Sequence, residues 1–108
     1  MSTIVTARGA GLGAWVDEDF AHCRQVVVVA EDGSFDAWEN PFPAEQDGVR
    51  LAEKMIGEIK DLKAVVTASI DPETVELFTE HRIAVYLAKQ GAVLELVEAV
   101  GDHSVPRA

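Results

Sequence analysis

A single cysteine stands in the 108 residues, so no intrachain disulfide can form, and no CxxC or paired Cys/His spacing marks a structural zinc site. A reducing compartment fits best, and we expect a cytoplasmic protein. Basic residues are also few: nine Lys and Arg against nineteen Asp and Glu give a formal net charge of -10. The nine are scattered, which argues against electrostatic capture of nucleic acid or of an anionic membrane, because both reward clustered Lys and Arg. No apolar run approaches the roughly 20 residues of a membrane span, and MSTIVTARGAG lacks the basic start and apolar stretch of a signal peptide. An anionic ligand must therefore find local donors on an acidic surface: backbone amides, Arg8, Arg24 or His22.

What is present is a globular composition, 48% hydrophobic, with β-branched runs such as VVVVA and AVVT. We expect one domain over residues 1–101 and a flexible C-terminal tail over 102–108. TIVTA (3–7) reads as a buried strand. QVVVVAE (25–31) and SFDAWE (34–39), joined by Asp32-Gly33, read as a hairpin whose second strand alternates and lies at an edge. Val49, Ala52, Ile56 and Ile59 recur at helical spacing and predict a helix over 49–62. AVVTA (64–68) predicts a strand covered on both faces, and IAVYL (83–87) another. Asp71-Pro72-Glu73 supplies an N-cap, a first-turn proline and first-turn acidity for a helix through Phe78, and residues 92–100 form a last apolar helix. The sum is an α/β domain with a mixed five-stranded sheet, order 3-2-1-4-5, strand 2 antiparallel, in three layers with helices on both faces.

The glycine-bearing connection RGAGLGAWVDEDFAH is roughly 15 residues long, a length at which connections are usually functional or locally structured. Arg8 and the amides of Gly9, Gly11 and Gly13 offer donors to an anionic guest, with Arg24 on the far side. The competing reading is a strand extension through Ala14 to Val16, with Trp15 covering an open end of the core. GAGLG lacks the GxGxxG spacing of a dinucleotide site. His22 and Cys23 are the side chains suited to a soft metal or a sulfide cluster, but as neighbours at a strand entrance they point to opposite faces. A buried cysteine behaving as a small hydrophobe is the alternative for Cys23. Ser69, Asp71 and the amides after the fourth strand form a junction where α/β sheets bind ligands, although Asp71 as the helix cap would already occupy that position.

The phrases GLGAWVDEDFAHCRQVVVV, DG...WENP, GVRLAEKM, AVVTASIDPETVELFTEHRIAVYLA and AVLELVEA, in this order and spacing, resemble the dinitrogenase iron-molybdenum cofactor biosynthesis family over nearly the whole chain. The resemblance implies a ribonuclease-H-like motif and the binding or carriage of an iron-molybdenum cofactor, its precursors or another molybdenum-sulfur cluster. A cluster-assembly or acceptor protein follows as partner. Carried onto this chain, it implies a cofactor site of Arg8, Gly9, Gly11, Gly13, Phe20, His22 and Arg24, with His22 and Cys23 as metal contacts. Three stretches depart from the pattern of relatives. Asp17-Glu18-Asp19-Phe20-Ala21-His22 replaces Ser-x-His-Phe-Gly-Arg, so Asp19 stands at a histidine position. Ala68-Ser69-Ile70-Asp71-Pro72 replaces Gly-x-x-Gly-Pro, and Asp47-Gly48 replaces His-Gly. These departures motivate an alternative, a divergent scaffold or regulatory interaction domain without cluster binding. An enzyme is not expected: TIVTA carries no carboxylate for a nuclease metal site, and His22, His81 and His103 lie in unrelated settings.

Overall fold

Every residue of β1 (Ser2–Ala7) is buried, which makes it the central strand of the computed structural model, whose described residues are 2–108. On one side β1 pairs antiparallel with β2 (Gln25–Ala30), with Ile4 opposite Val28, and β2 pairs antiparallel with β3 (Phe35–Glu39). On the other side it pairs in parallel with β4 (Leu62–Thr67), which pairs in parallel with β5 (Ala84–Leu87). The order β3-β2-β1-β4-β5 is the expected one, and β2 alone runs against the rest.

Alternation along the strands sorts side chains between two cores. Ile4, Val26, Val65 and Val85 meet α1 (Val49–Glu58) and α2 (Pro72–Glu80) through Leu51, Met55 and Phe78. Val5, Val27, Val29 and Val66 meet α3 (Val93–Gly101) through Val93, Leu96 and Val100. The result is a three-layer ribonuclease-H-like arrangement. Trp38, on the edge strand, packs against the α1 side with the Lys54 ammonium 5.6 Å from its ring centroid. The exposed aromatic of β3 is instead Phe35.

The first helix stops at Glu58, short of the expected 62, because Ile59 turns extended and Leu62 already opens β4 opposite Ser2. Ile59 and Leu62 keep the apolar spacing of a helix but reach the same core from an extended backbone. Asp71 caps α2 as read, accepting from the Thr74 N–H at 3.1 Å, and its carboxylate also accepts from the Thr74 hydroxyl at 2.8 Å and the Gly48 N–H at 3.1 Å. One carboxylate thus ties the start of α1 to the start of α2. Burial pushes its pKa up, but the bonds from Thr74 and Gly48 outweigh this and hold it below the ordinary 3.8.

Both α2 and α3 end in Schellman geometry. Arg82 at φ 61° and His103 at φ 58° take the left-handed position, and the Ile83 and Ser104 N–H groups return to Phe78 O and Ala99 O at 2.9 Å. Beyond this turn the tail is not loose. Val105 is buried, and Leu87 N–H donates to Pro106 O while Ala108 N–H donates to Val85 O, both at 2.9 Å. The sequence reading of 102–108 as a flexible tail missed this docking because SVPRA has neither length nor alternation enough to read as a strand.

Two glycines should respond oppositely to substitution. A Cβ at Gly48 would lie 2.4 Å from Phe20 Cδ1, whereas one at exposed, helical Gly57 would meet nothing within 4 Å. Thermal or urea unfolding should show Gly48→Ala destabilised by about 1–3 kcal/mol and Gly57→Ala stabilised by about 0.5–1 kcal/mol. Asp71→Asn should lose about 1–2 kcal/mol at neutral pH. Because the folded pKa of Asp71 is depressed, its contribution is present above the ordinary 3.8 and fades as pH falls through the lower folded value. Unfolding curves for the two proteins should therefore converge below about pH 4.

Candidate functional site

The carboxyl ends of the parallel strands β1, β4 and β5 share one end of the sheet, the end where open α/β sheets bind ligands. Three connections meet there: residues 8–24, 68–71 and 88–92. The first crosses from the α3 side of the sheet to the α1/α2 side.

Its first half is a strand extension, not an open cradle. Arg8 N–H donates to Trp15 O and Asp17 N–H to Thr6 O, both at 2.9 Å, and Ala7 and Val16 form an antiparallel bridge. Val93 and Leu94, the first residues of α3, donate their N–H groups to Ala14 O at 2.9 Å and Leu12 O at 3.0 Å. The amides that a helix start offers to an anion are therefore taken by the loop itself. Among the described glycines, positive φ occurs at Gly33 and Gly91 and at none of Gly9, Gly11 and Gly13, so these three form no left-handed nest. Trp15 does not cover the core end: it is 44% exposed.

The second half is pinned by polar side chains whose importance the sequence reading missed. Asp17 is buried, and its two oxygens accept from Glu18 N–H at 2.8 Å and Arg24 N–H at 2.9 Å, closing residues 17–24 into a loop. Buried Asn40 donates to Ala21 O and Cys23 O at 3.0 Å each and accepts from Phe42 N–H at 2.8 Å. Asn40 belongs to the WENP phrase, which was legible as a resemblance without revealing what its asparagine holds.

Two expected site residues turn inward. Phe20 is fully buried, its ring edge-to-face on Phe78 with centroids 5.6 Å apart, and its N–H donates to Ser69 O at 2.8 Å. It positions the loop against the strand-to-helix junction and offers no surface to a ligand. Cys23 is likewise fully buried, among Ile4, Val26 and Leu51. Burial first, then the charges of Asp17 and Asp19, push its thiol up to about 12. It stays protonated at neutral pH and packs as a hydrophobe, which removes the thiolate from the ligand set.

The outward residues are His22, Arg8 and Arg24. Asp19 has its Oδ2 2.5 Å from His22 Nδ1, and the imidazole side chain is 51% exposed. With Nδ1 engaged, Nε2 is the ring nitrogen left for a ligand. Arg8 leans toward the loop's own carboxylates, 4.0 Å from Asp17 Oδ1 and 3.8 Å from Glu18 Oε1. Arg24 is exposed and tied to Asp17 through its backbone. No group of three or more His, Cys, Asp and Glu side chains able to hold a metal ion occurs among the described residues.

The concave surface at this end lies along the second connection. A groove of about 520 Å³ runs between Ala68, Ile70, Pro72, Val75 and Leu87, and a recess of about 300 Å³ lies between Glu18, Ala68, Ser69 and Lys89. Ala68 and Ser69 line both. The sequence marked this junction but not the groove, since Leu87 and Ala108 join its wall only once β5 and the tail are in place.

The chain is similar in fold to several solved structures. The apo form of the orange protein from Desulfovibrio gigas superimposes with a TM-score of 0.87 at 24% identity, covering 99% of this chain and 92% of that one. A Thermotoga protein described as a candidate NifB gives 0.81 at 18% identity, covering 98% and 91%. A Methanocaldococcus jannaschii protein described as a candidate dinitrogenase gives 0.70 at 14% identity, covering 100% and 94%. None of the curated proteins compared matches the chain. The description of the dinitrogenase iron-molybdenum cofactor family matches residues 1–103, essentially the entire sheet with its three helices, and the chain belongs to that family.

Proposed function

We propose that the chain is a small non-catalytic module that holds or hands over an iron-molybdenum or other molybdenum-sulfur cluster, with an assembly or acceptor protein as its partner in the cytoplasm. Family membership supports the class of cargo. The observation that carries the site is the His22–Asp19 pair, because a carboxylate on one imidazole nitrogen orients the ring and raises the basicity of the other. With Cys23 buried and protonated, the donors that fit a cluster are a single imidazole and the cations of Arg8 and Arg24. Such a set suits weak, reversible retention of an anionic guest better than thiolate anchoring. β1 brings no carboxylate to the sheet end, so the metal-dependent nuclease chemistry known on related folds has no counterpart on that strand.

A second reading, a scaffold without cargo, is favoured by one surface. Trp15 is 44% exposed and Leu94 43% exposed, and they flank the same loop-to-α3 contact through Leu12 and Ala92. Exposed tryptophan is a frequent anchor of protein interfaces.

Titration of the apo protein with tetrathiomolybdate and copper, or with isolated cofactor, should change the absorption spectrum and leave metal bound after desalting. His22→Ala should abolish that retention, Asp19→Asn should weaken it roughly tenfold, and Cys23→Ala should keep it. No spectral change and no retained metal in the unmodified protein would refute cluster carriage. For the scaffold reading, affinity capture from the host should recover the same partner with and without molybdenum and lose it in Trp15→Ala. Metal-dependent capture would count against that reading.

A further inference from the structure

Residues 105–108 are attached to the body of the domain by few contacts. Val105 inserts into the α3-side core, two backbone hydrogen bonds join Val85 and Leu87 to Ala108 and Pro106, and the Arg107 guanidinium lies 5.9 Å from the Tyr86 ring centroid. Pro106 suits this edge position, since only its carbonyl is used and it has no N–H to satisfy. The sheet does not depend on the attachment: β5 is paired along its whole length with β4, from Ala64 opposite Ala84 to Thr67 opposite Leu87. The segment leaves α3 through the capping turn at His103, φ 58°, which the Ser104 N–H bond to Ala99 O at 2.9 Å closes, so Ser104 stays with the helix when the residues after it undock. Ala108 forms part of the groove wall beside Leu87.

We propose that residues 105–108 are a releasable strap that closes the groove on its β5 side and covers the edge of β5. Release leaves the α3 cap at His103 in place and frees Leu87 N–H and Val85 O. It also takes Ala108 out of the wall, so the apolar surface of Ile70, Val75 and Leu87 opens toward the sheet edge. Segments with few buried side chains and edge-only hydrogen bonds open locally, well below the free energy of global unfolding. Docking and release of this segment thus set how accessible the groove is while the sheet and the α1/α2-side core stay intact and the α3-side core gives up only Val105 at its margin.

Amide hydrogen exchange followed by NMR on the unmodified protein tests the release. The Leu87 and Ala108 N–H groups should exchange together and roughly tenfold or more faster than the amides of β1. Leu87 exchange at the β1 rate would mean that the strap opens only with global unfolding, and the proposal would fail. Val105→Asp should strip protection from Leu87, leave β1 protected, and raise the fluorescence of added anilinonaphthalene sulfonate several-fold as the groove opens. Unchanged fluorescence with β1 protected would refute the closure of the groove. If Val105→Asp unfolds the protein, Val105→Ala decides: removing most of the docked side chain should speed Leu87 exchange several-fold while β1 stays protected, and an unchanged rate would refute the strap.

Discussion

The whole arrangement rests on covering both faces of one strand. Ser2–Ala7 is buried throughout, with Ile4 on one core and Val5 on the other, so the domain needs helices on both sides of the sheet before β1 is dry. That requirement explains why two crossover helices fall on one side and α3 on the other. It also explains why the loop following β1 cannot stay open. Leaving a central strand, the chain has one helix start within reach on the α3 side and one core entrance on the α1/α2 side, and residues 8–24 use both.

An excess of acid is put to internal use. Asp17 closes the loop that carries His22, Asp19 orients that histidine, and Asp71 receives amides from the starts of two helices. Each is a local staple whose acceptors match backbone N–H groups or an imidazole nitrogen, which is what a short carboxylate does best near a turn. The acidic character that argues against nucleic-acid partners thus also builds the sheet end where a ligand would sit. Its cost is that Arg8, the nearest cation to the glycine stretch, leans on the loop's own carboxylates.

The fold was largely legible in the sequence because its signals are local and periodic: Asp-Gly between β-branched runs, Asp-Pro-Glu before an apolar stripe, continuous apolar strands in the middle. The boundary at Leu62 was not, since Ile59 and Leu62 keep a helical spacing while the backbone has already straightened to meet Ser2. The site was legible only in place. Residue type marks Cys23 as chemically suited and the family resemblance adds Phe20, but whether a side chain faces a ligand or a core depends on a loop held by Asn40, Ser69 and Gly48, each distant in sequence. The preference for Asp71 as a cap held because capping is decided within three residues.

The contact of Phe20 with Gly48 has a further consequence. The ring occupies the space where any larger residue at 48 would place its Cβ, and the same Gly48 gives its N–H to Asp71. Loop 17–24, the first turn of α1 and the first turn of α2 are therefore interlocked around a single missing methyl group. A change of residue at any one of the three sites must be accommodated by the other two, so these separate segments are expected to vary in concert while the strands between them drift independently.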